Sequence, residues 1–172
     1  MVVAFETERC VVRSWELGEA ARFFDVYRRW EVARWLGARP RAMEDLDEAE
    51  ARIVRWAELN HDDPVGGRWA VQRRDDGVVV GTVLLVEVPG GDGELEVGWH
   101  LHPDAWGHGY ATEAAGGALT RAFGAGHEEV VAVVRPGNTA SSAVCARLGM
   151  AARGRTRRYY DTDLELFTAR PD

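Results

Sequence analysis

The chain has 172 residues, 46% of them hydrophobic and 28% charged, which is enough to form one domain with its own core. Two cysteines are too few for a disulfide framework, and the formal net charge of -7 argues against a nucleic-acid partner. No stretch approaches the ~18 apolar residues of a membrane span, and the first residues lack the pattern of a secretion signal. We therefore expect a single cytoplasmic domain over residues 1–172 with no membrane partner.

Hydrophobic spacing predicts the elements of the first half of the chain. Alternating apolar residues predict a strand over 9–15, and helical spacing then predicts helices over 17–35 and 44–60. Two β-rich runs, 68–74 and 78–88, are joined by an Asp-Gly turn that is typical of a hairpin. A third run covers 94–101, and we expect these three strands to be antiparallel neighbours.

The second half of the chain alternates helices and strands. A helix with small side chains on its inner face is predicted over 110–125, and a continuous apolar run over 130–134 is typical of a strand buried on both faces. A helix over 139–148 ends at Gly149, and two last strands are predicted over 151–159 and 164–168. This order predicts an α/β fold with a mixed sheet.

A glycine-rich segment joins the run 94–101 to the next helix. Its sequence is Trp106-Gly107-His108-Gly109-Tyr110-Ala111-Thr112-Glu113. Such a turn leaves backbone N–H groups unpaired at a helix N-terminus, where the helix dipole favours an anion. The segment predicts a cradle for phosphate or pyrophosphate, although an ordinary glycine-rich turn would give the same pattern. It is not a nucleotide P-loop, which requires a lysine that this chain lacks.

A second junction between a strand and a helix brings Asn138 and Ser141 to the start of the helix over 139–148. Asn, Thr and Ser at such positions often accept hydrogen bonds from the free N–H groups of the first turn. We interpret Thr139 as a capping residue, whereas capping and function can both hold for Asn138.

Taken together, these motifs resemble the GNAT superfamily of acetyl-CoA-dependent N-acetyltransferases, and most closely the acetyltransferases of ribosomal-protein N-termini. The resemblance covers nearly the whole chain and lies in residues 7–13, 96–103, 106–114, 138–141 and 147–150. It implies a GNAT-like, mixed and mostly antiparallel central sheet that splays between two central strands, 94–101 and 130–134, with helices on its flanks.

The resemblance also implies acetyl-CoA as cosubstrate and places its binding site. The backbone near Leu101 would bind the acetyl carbonyl and the pantetheine amides. The remaining cofactor-binding residues would surround the pyrophosphate and comprise Trp106, Gly107, His108, Gly109, Tyr110, Ala111, Thr112 and Asn138. The family usually has Gln or Arg where Trp106 stands, although Trp is common in this subgroup.

A primary amine is largely protonated at neutral pH, so its acetylation requires a base. Glu96 is the candidate base, because the resemblance places an acidic residue there; a surface glutamate on a half-exposed strand is the alternative. Ser141 is the candidate acid, since the subgroup places a serine near the thiol. Cys145 stands where many family members have a tyrosine acid, and we expect it in the core.

Three tyrosines, Tyr110, Tyr159 and Tyr160, are weaker candidates for the acid and are interpreted as packing or substrate-channel residues. His100, His102 and His108 with Asp104 could suggest a metal, but no cysteine or further histidine stands at ligand spacing, so no metal is expected. The predicted function is an N-acetyltransferase that acts on a primary amine of a protein N-terminus or a small molecule. The alternative is a non-catalytic acyl-CoA-binding sensor or scaffold module. The resemblance also implies a homodimer as an oligomeric state, because family members often dimerise.

Overall fold

The structure is a computed structural model that describes residues 1–172. Its strands are β1 Val3–Glu6, β2 Cys10–Arg13, β3 Gly67–Arg73, β4 Val79–Glu87, β5 Leu95–Leu101, β6 Val130–Val134, β7 Ala151–Thr156 and β8 Leu164–Ala169. Its helices are α1 Ala20–Tyr27, α2 Trp30–Ala33, α3 Leu46–Asp62, α4 Tyr110–Gly124 and α5 Thr139–Arg147. No helix is both long and apolar enough to cross a membrane.

All eight strands form one sheet in the order β1-β2-β3-β4-β5-β6-β8-β7. Every neighbouring pair is antiparallel except β5 and β6, which are connected through α4 and run parallel. These two strands pair only at Leu95 with Val130 and at Glu96 with Val131, and beyond that point they separate. The predicted α/β fold, with a mostly antiparallel sheet that splays between two central strands, is confirmed.

The two faces of the sheet are covered by different helices. On one face α4 packs through buried alanines, among them Ala114, Ala115 and Ala118, whose small side chains let the helix lie close to the strands. On the other face α1 and α3 contribute Phe23 and Ile53 to a second apolar cluster. The sheet therefore has an apolar cluster covered by helices on each of its two faces.

Most predicted boundaries lie within two residues of the observed ones, and three features of the prediction differ more from the structure. The edge strand β1 was missed, because four residues with partly exposed side chains give no clear alternation. The predicted helix over 17–35 is broken into a 3₁₀ turn at Leu17–Glu19, α1 and α2. At the second break the Arg29 guanidinium donates to the Asp25 carbonyl at 3.1 Å, and the Arg29 backbone is extended. The strand predicted over 151–159 ends at Thr156.

Candidate functional site

A cleft of about 980 Å³ opens where β5 and β6 separate. It is lined by both strands, by the segment that precedes α4, by the start of α5 and by Tyr160 from the β7–β8 connection. All the site residues predicted from the sequence line it: Glu96, Leu101, Trp106, Gly107, His108, Gly109, Tyr110, Ala111, Thr112, Asn138 and Ser141. The fold therefore gathers residues from three separate motifs around one space.

The floor of the cleft presents unpaired backbone of β5. Hydrogen bonds from Val88 N–H to the Glu94 carbonyl, at 2.8 Å, and from His102 N–H to the Val80 carbonyl, at 2.9 Å, fix the β4–β5 ladder. Alternate residues of a strand bond to opposite neighbours, so the backbone groups of Trp99 and Leu101 point toward β6. Because β6 has already separated there, the N–H and carbonyl of Trp99 and the N–H of Leu101 can pair with an extended, amide-containing ligand.

The Trp106 side chain contacts the end of β5 at the floor of the cleft. Its indole N–H donates to the Leu101 carbonyl at 2.9 Å, although the ring itself is half exposed. A Gln or Arg at this position, as is usual in the family, would place a different donor here. The indole therefore fixes the end of β5 where the chain turns toward α4.

The segment 106–112, which we call the cradle, has the properties of an anion site. Gly107 and Gly109 have φ angles of 79° and 81°, in the left-handed region that glycine adopts without strain. The backbone N–H groups of residues 107–112 have no hydrogen-bond acceptor in the protein. They lie at the positive end of the dipole of α4, a 15-residue helix, so they can bind a phosphate group.

The β1–β2 turn holds the cradle from outside the cleft. Glu113, in the first turn of α4, accepts hydrogen bonds from the Thr7 hydroxyl at 2.6 Å and from the Arg9 backbone N–H at 2.7 Å. The Arg9 guanidinium bonds to Glu113 at 2.6 Å and to the His108 carbonyl at 2.9 Å. Thr7 and Arg9 belong to a motif that carried the family resemblance, but the motif did not predict a role for them at this site.

At the second junction Asn138 is the N-cap of α5. Its Oδ1 accepts from the Ser141 N–H at 3.2 Å, so the predicted capping by Asn138 is confirmed. The predicted capping by Thr139 is wrong, because Thr139 is already the first helical residue. The Ser141 side chain is half-buried against the cleft, and its hydroxyl makes no hydrogen bond in the protein.

Glu96 lies in the wall of the cleft and is only 8% exposed, so its interpretation as a surface glutamate is wrong. The Tyr160 hydroxyl donates to its carboxylate at 2.5 Å. Burial raises the pKa of Glu96 to about 7, while the hydrogen bond from Tyr160 and the positive charge of Arg68 act in the opposite direction. A carboxylate with this pKa can accept a proton at neutral pH and release it again.

Tyr160 reaches Glu96 from an unusual backbone conformation. Tyr160 and Asp161 have φ angles of 57° and 48°, which cost free energy in residues that carry a Cβ. Burial, followed by the nearby charge of Glu96, raises the pKa of Tyr160 far above its ordinary range, so the hydroxyl remains a donor. No sequence pattern links two residues that are 64 positions apart. Tyr160 was therefore interpreted as a packing or substrate-channel residue and as a weaker candidate for the acid.

Other candidate groups are held in structural roles. Cys145 is fully buried beside α4, as expected, and burial raises the pKa of its thiol to about 12. His100 lines the cleft with its Nδ1 3.0 Å from the Tyr27 hydroxyl; burial and the charge of Arg52 lower its pKa to about 4. No group of three or more His, Cys, Asp or Glu residues is arranged to hold a metal ion.

Both the sequence and the fold of the chain are similar to those of known proteins. A family model described as an acetyltransferase (GNAT) domain matches residues 9–151. A curated relative from Bacillus subtilis (strain 168), named uncharacterized N-acetyltransferase YoaA, is 28% identical over 172 residues, covering 95% of this chain and 96% of the relative.

Two solved structures show the same fold. The ribosomal-protein-S5-alanine acetyltransferase from Vibrio fischeri has a TM-score of 0.75 at 22% identity, covering 98% of this chain and 96% of that one. RimL, a ribosomal L7/L12 α-N-protein acetyltransferase solved in complex with coenzyme A, has a TM-score of 0.79 at 14% identity. The match covers 99% of this chain and 98% of that one. At these identities the likeness establishes the fold.

Proposed function

The chain belongs to the GNAT acetyltransferase family, and from this premise we propose that it transfers the acetyl group of acetyl-CoA to a primary amine. The amine would belong to a protein N-terminus or to a small molecule. One observation carries the proposal: Glu96, buried and with a pKa of about 7, shares a cleft with the unpaired N–H groups of the cradle. A proton acceptor and an anion site are thus present in the same cavity.

The proposed position of acetyl-CoA follows from the free backbone groups. The N–H groups of residues 107–112 suit its pyrophosphate, because they are unpaired at a helix N-terminus. The free N–H and carbonyl of Trp99 and the free N–H of Leu101 suit the amides of its pantetheine arm. The complex of RimL with coenzyme A supports this choice of cosubstrate for a protein of the same fold.

The proposed reaction is direct attack of the amine on the thioester. Glu96 accepts a proton from the ammonium group, and the free amine then forms a C–N bond to the acetyl carbon. Collapse of the tetrahedral intermediate breaks the C–S bond and releases the CoA thiolate, while the nitrogen loses its second proton to solvent as the amide forms. Solvent also restores the proton that is passed to sulfur. With a pKa of ~8.5 for a typical thiol, the sulfur leaves more readily than the amine. Proton donation to sulfur, which we assign to Ser141, is therefore the less demanding step.

The alternative, a non-catalytic acyl-CoA-binding sensor or scaffold, has no use for Glu96. Burying a carboxylate destabilises the folded chain, and a module that only binds acyl-CoA would gain nothing from that cost. Tyr160 is held in a strained conformation with its hydroxyl on the same carboxylate, which adds to the cost. Both features favour catalysis.

Calorimetric titration with acetyl-CoA and with CoA tests the proposal directly. The wild-type chain should bind both, and Gly109→Glu, which adds bulk and negative charge inside the cradle, should abolish binding. Gly126→Glu is the matched control: Gly126 also has a positive φ, of 94°, with open space around it, but lies beyond the other end of α4. It should bind as the wild type does.

Release of the CoA thiol should then depend on an added amine, screened first with N-terminal peptides and then with small cationic amines. Absence of binding by the wild-type chain would overturn the proposal. Binding with slow hydrolysis that no amine accelerates would favour the sensor. The cytoplasmic location and the homodimer expected from the sequence stay predictions.

A further inference from the structure

We propose that Arg9 is a further cosubstrate-binding residue, whose guanidinium contacts a phosphate group of CoA at the edge of the cradle. The inference rests on the proposed function and deepens it. Arg9 lies in the β1–β2 turn, and its cationic side chain donates a hydrogen bond to the carbonyl of a cradle residue, His108.

The guanidinium of Arg9 is fixed on three sides. Its Nε donates to Glu113 at 2.6 Å, its Nη1 donates to the His108 carbonyl at 2.9 Å, and its Cζ lies 4.8 Å from the centre of the Tyr110 ring. The remaining nitrogen, Nη2, has no acceptor in the protein. A Cβ added to Gly109 would lie 3.3 Å from Nη2, so this free donor lies beside the middle of the cradle.

The ion pair with Glu113 orients Arg9 without using up its capacity to bind an anion. The Glu113 carboxylate is also bonded to the Thr7 hydroxyl and to the Arg9 backbone, and its side chain is 17% exposed against 47% for Arg9. The carboxylate therefore lies deeper than the guanidinium. An approaching phosphate meets the outer N–H groups of a planar, permanently charged fork before it meets the carboxylate.

Two phosphate groups of CoA could supply the partner, the pyrophosphate or the 3′-phosphate of the ribose. Both are accessible anions that accept hydrogen bonds from arginine, and the shared chemistry is a phosphate oxygen on Nη2. The alternative is a purely structural latch, in which Arg9 only holds the β1–β2 turn against α4 and does not touch CoA.

The experiment compares Arg9→Gln with Arg74→Gln in calorimetric titrations with CoA and with 3′-dephospho-CoA. Arg74 is a matched control, because it bonds to the Thr7 carbonyl at 3.0 Å and to Glu6 at 2.9 Å in the same turn but does not contact the cradle. Arg9→Gln should weaken CoA binding by about tenfold or more, as expected for loss of one charge-assisted hydrogen bond. Arg74→Gln should stay within about twofold of the wild type, inside the spread of a neutral surface change.

A second variant, Glu113→Gln, removes the Arg9–Glu113 ion pair of the latch but keeps the charge of Arg9. A latch predicts equal losses of CoA binding in Arg9→Gln and Glu113→Gln, whereas a direct contact predicts a larger loss in Arg9→Gln, and its ionic character is tested with salt. An exposed ion contact is screened, so the ratio of the Arg9→Gln and wild-type dissociation constants should shrink between about 0.05 M and about 0.5 M salt. A loss that does not respond to salt would overturn the contact, as would wild-type affinity in a folded Arg9→Gln chain. Should Arg9→Gln not fold, Arg9→Lys, which keeps the charge but not the fork, is measured for the same salt dependence and decides in the same way.

The two ligands distinguish the source of the phosphate. A loss that persists with 3′-dephospho-CoA assigns the contact to the pyrophosphate, and a loss confined to CoA assigns it to the 3′-phosphate. Failure of the wild-type chain to bind CoA would overturn the proposed function together with this inference. Equal binding by wild type and variant would overturn this inference alone.

Discussion

Glu96 and Tyr160 form the chemical centre of the site at the scale of single residues. The carboxylate is buried in the cleft, and the tyrosine hydroxyl is its hydrogen-bond donor at 2.5 Å. The family resemblance was sufficient to predict Glu96, because a motif position carried it. Tyr160 could not be predicted as its partner, because the contact depends on how the β7–β8 connection folds back over β5.

Replacement of the base should lower the rate of the chemical step without weakening the binding of acetyl-CoA. For Glu96→Gln we expect kcat to fall by about 10² to 10⁴, the usual contribution of a general base, with the acetyl-CoA dissociation constant unchanged. The acidic limb of the kcat/KM profile, which should lie near the Glu96 pKa of about 7, should disappear. Rates measured across pH check this, and an unchanged limb would remove Glu96 from the role of base.

Loss of the Tyr160 hydroxyl should shift the pH profile of the enzyme. The hydrogen bond from Tyr160 lowers the pKa of Glu96, so in Tyr160→Phe that pKa rises and the acidic limb moves to higher pH. The rate should therefore fall at neutral pH and recover at higher pH. Tyr159→Phe is the matched control, because its hydroxyl bonds to Glu94, at 3.1 Å, and not to Glu96.

The two possible roles of Tyr160 give different profiles. A tyrosine that only positions and tunes the carboxylate leaves the maximum rate nearly intact in Tyr160→Phe. A tyrosine that donates a proton to the leaving thiolate lowers the rate at every pH, with no recovery on the alkaline side. That second outcome would transfer the acid role from Ser141 to Tyr160.

At the scale of elements, the position of β5 relative to β4 determines where the cleft opens. Gly81 of β4 has a φ of 151°, and a Cβ there would lie 2.2 Å from the His100 carbonyl oxygen and 2.7 Å from the Leu101 Cα. The contacts are with backbone, which cannot rotate away. Strand periodicity over 78–88 predicted β4 but gave no sign of this close approach, because spacing alone does not measure the distance between strands.

Gly81→Ala should therefore push β5 away from β4 at the floor of the cleft. We expect the free energy of unfolding to fall by about 2–4 kcal/mol, because a forced overlap in a packed interior costs about 1–3 kcal/mol and backbone strain adds about 1 kcal/mol. CoA binding should weaken because Leu101 moves. Gly77→Ala is the control: its φ is 73°, but the nearest atom to an added Cβ is 3.4 Å away at the end of the Gln72 side chain. It should cost about 1 kcal/mol from backbone strain alone.

Urea denaturation followed by calorimetry with CoA measures both effects. Equal losses of stability in the two variants would mean that backbone strain alone accounts for Gly81. Normal CoA binding by a destabilised Gly81→Ala chain would show that the floor of the cleft tolerates the displacement of β5.

At the scale of the whole molecule, much of the architecture could be predicted and some of it could not. The order of strands and helices, with the resemblance, predicted the splayed sheet, and all the predicted site residues line the cleft. The interaction of the β1–β2 turn with α4 joins residues about a hundred positions apart in the chain, from Arg9 to His108 and Glu113. Such contacts depend on the assembled sheet, so local pattern and turn chemistry do not show them.

The buried base also affects the stability of the whole fold. In the folded chain the pKa of Glu96 is about 7, against an ordinary value of 4.5. Below about pH 4.5 the carboxyl is protonated in both states. Between about pH 4.5 and pH 7 the Glu96 carboxyl ionises in the unfolded chain but stays protonated in the folded chain. The free energy of unfolding therefore falls as pH rises through this range, and it levels off above pH 7. The loss should reach about 3 kcal/mol.

Comparison with Glu96→Gln isolates this effect. His100, whose pKa of about 4 lies below its ordinary value of 6.5, makes stability rise with pH over an overlapping range, but it is present in both proteins. Urea denaturation from pH 4 to 8 should therefore show equal stability at the acidic end and a more stable Glu96→Gln chain at the alkaline end. Parallel curves would mean that Glu96 ionises equally in both states, and the carboxylate would then be too weak a base to deprotonate an amine near neutral pH.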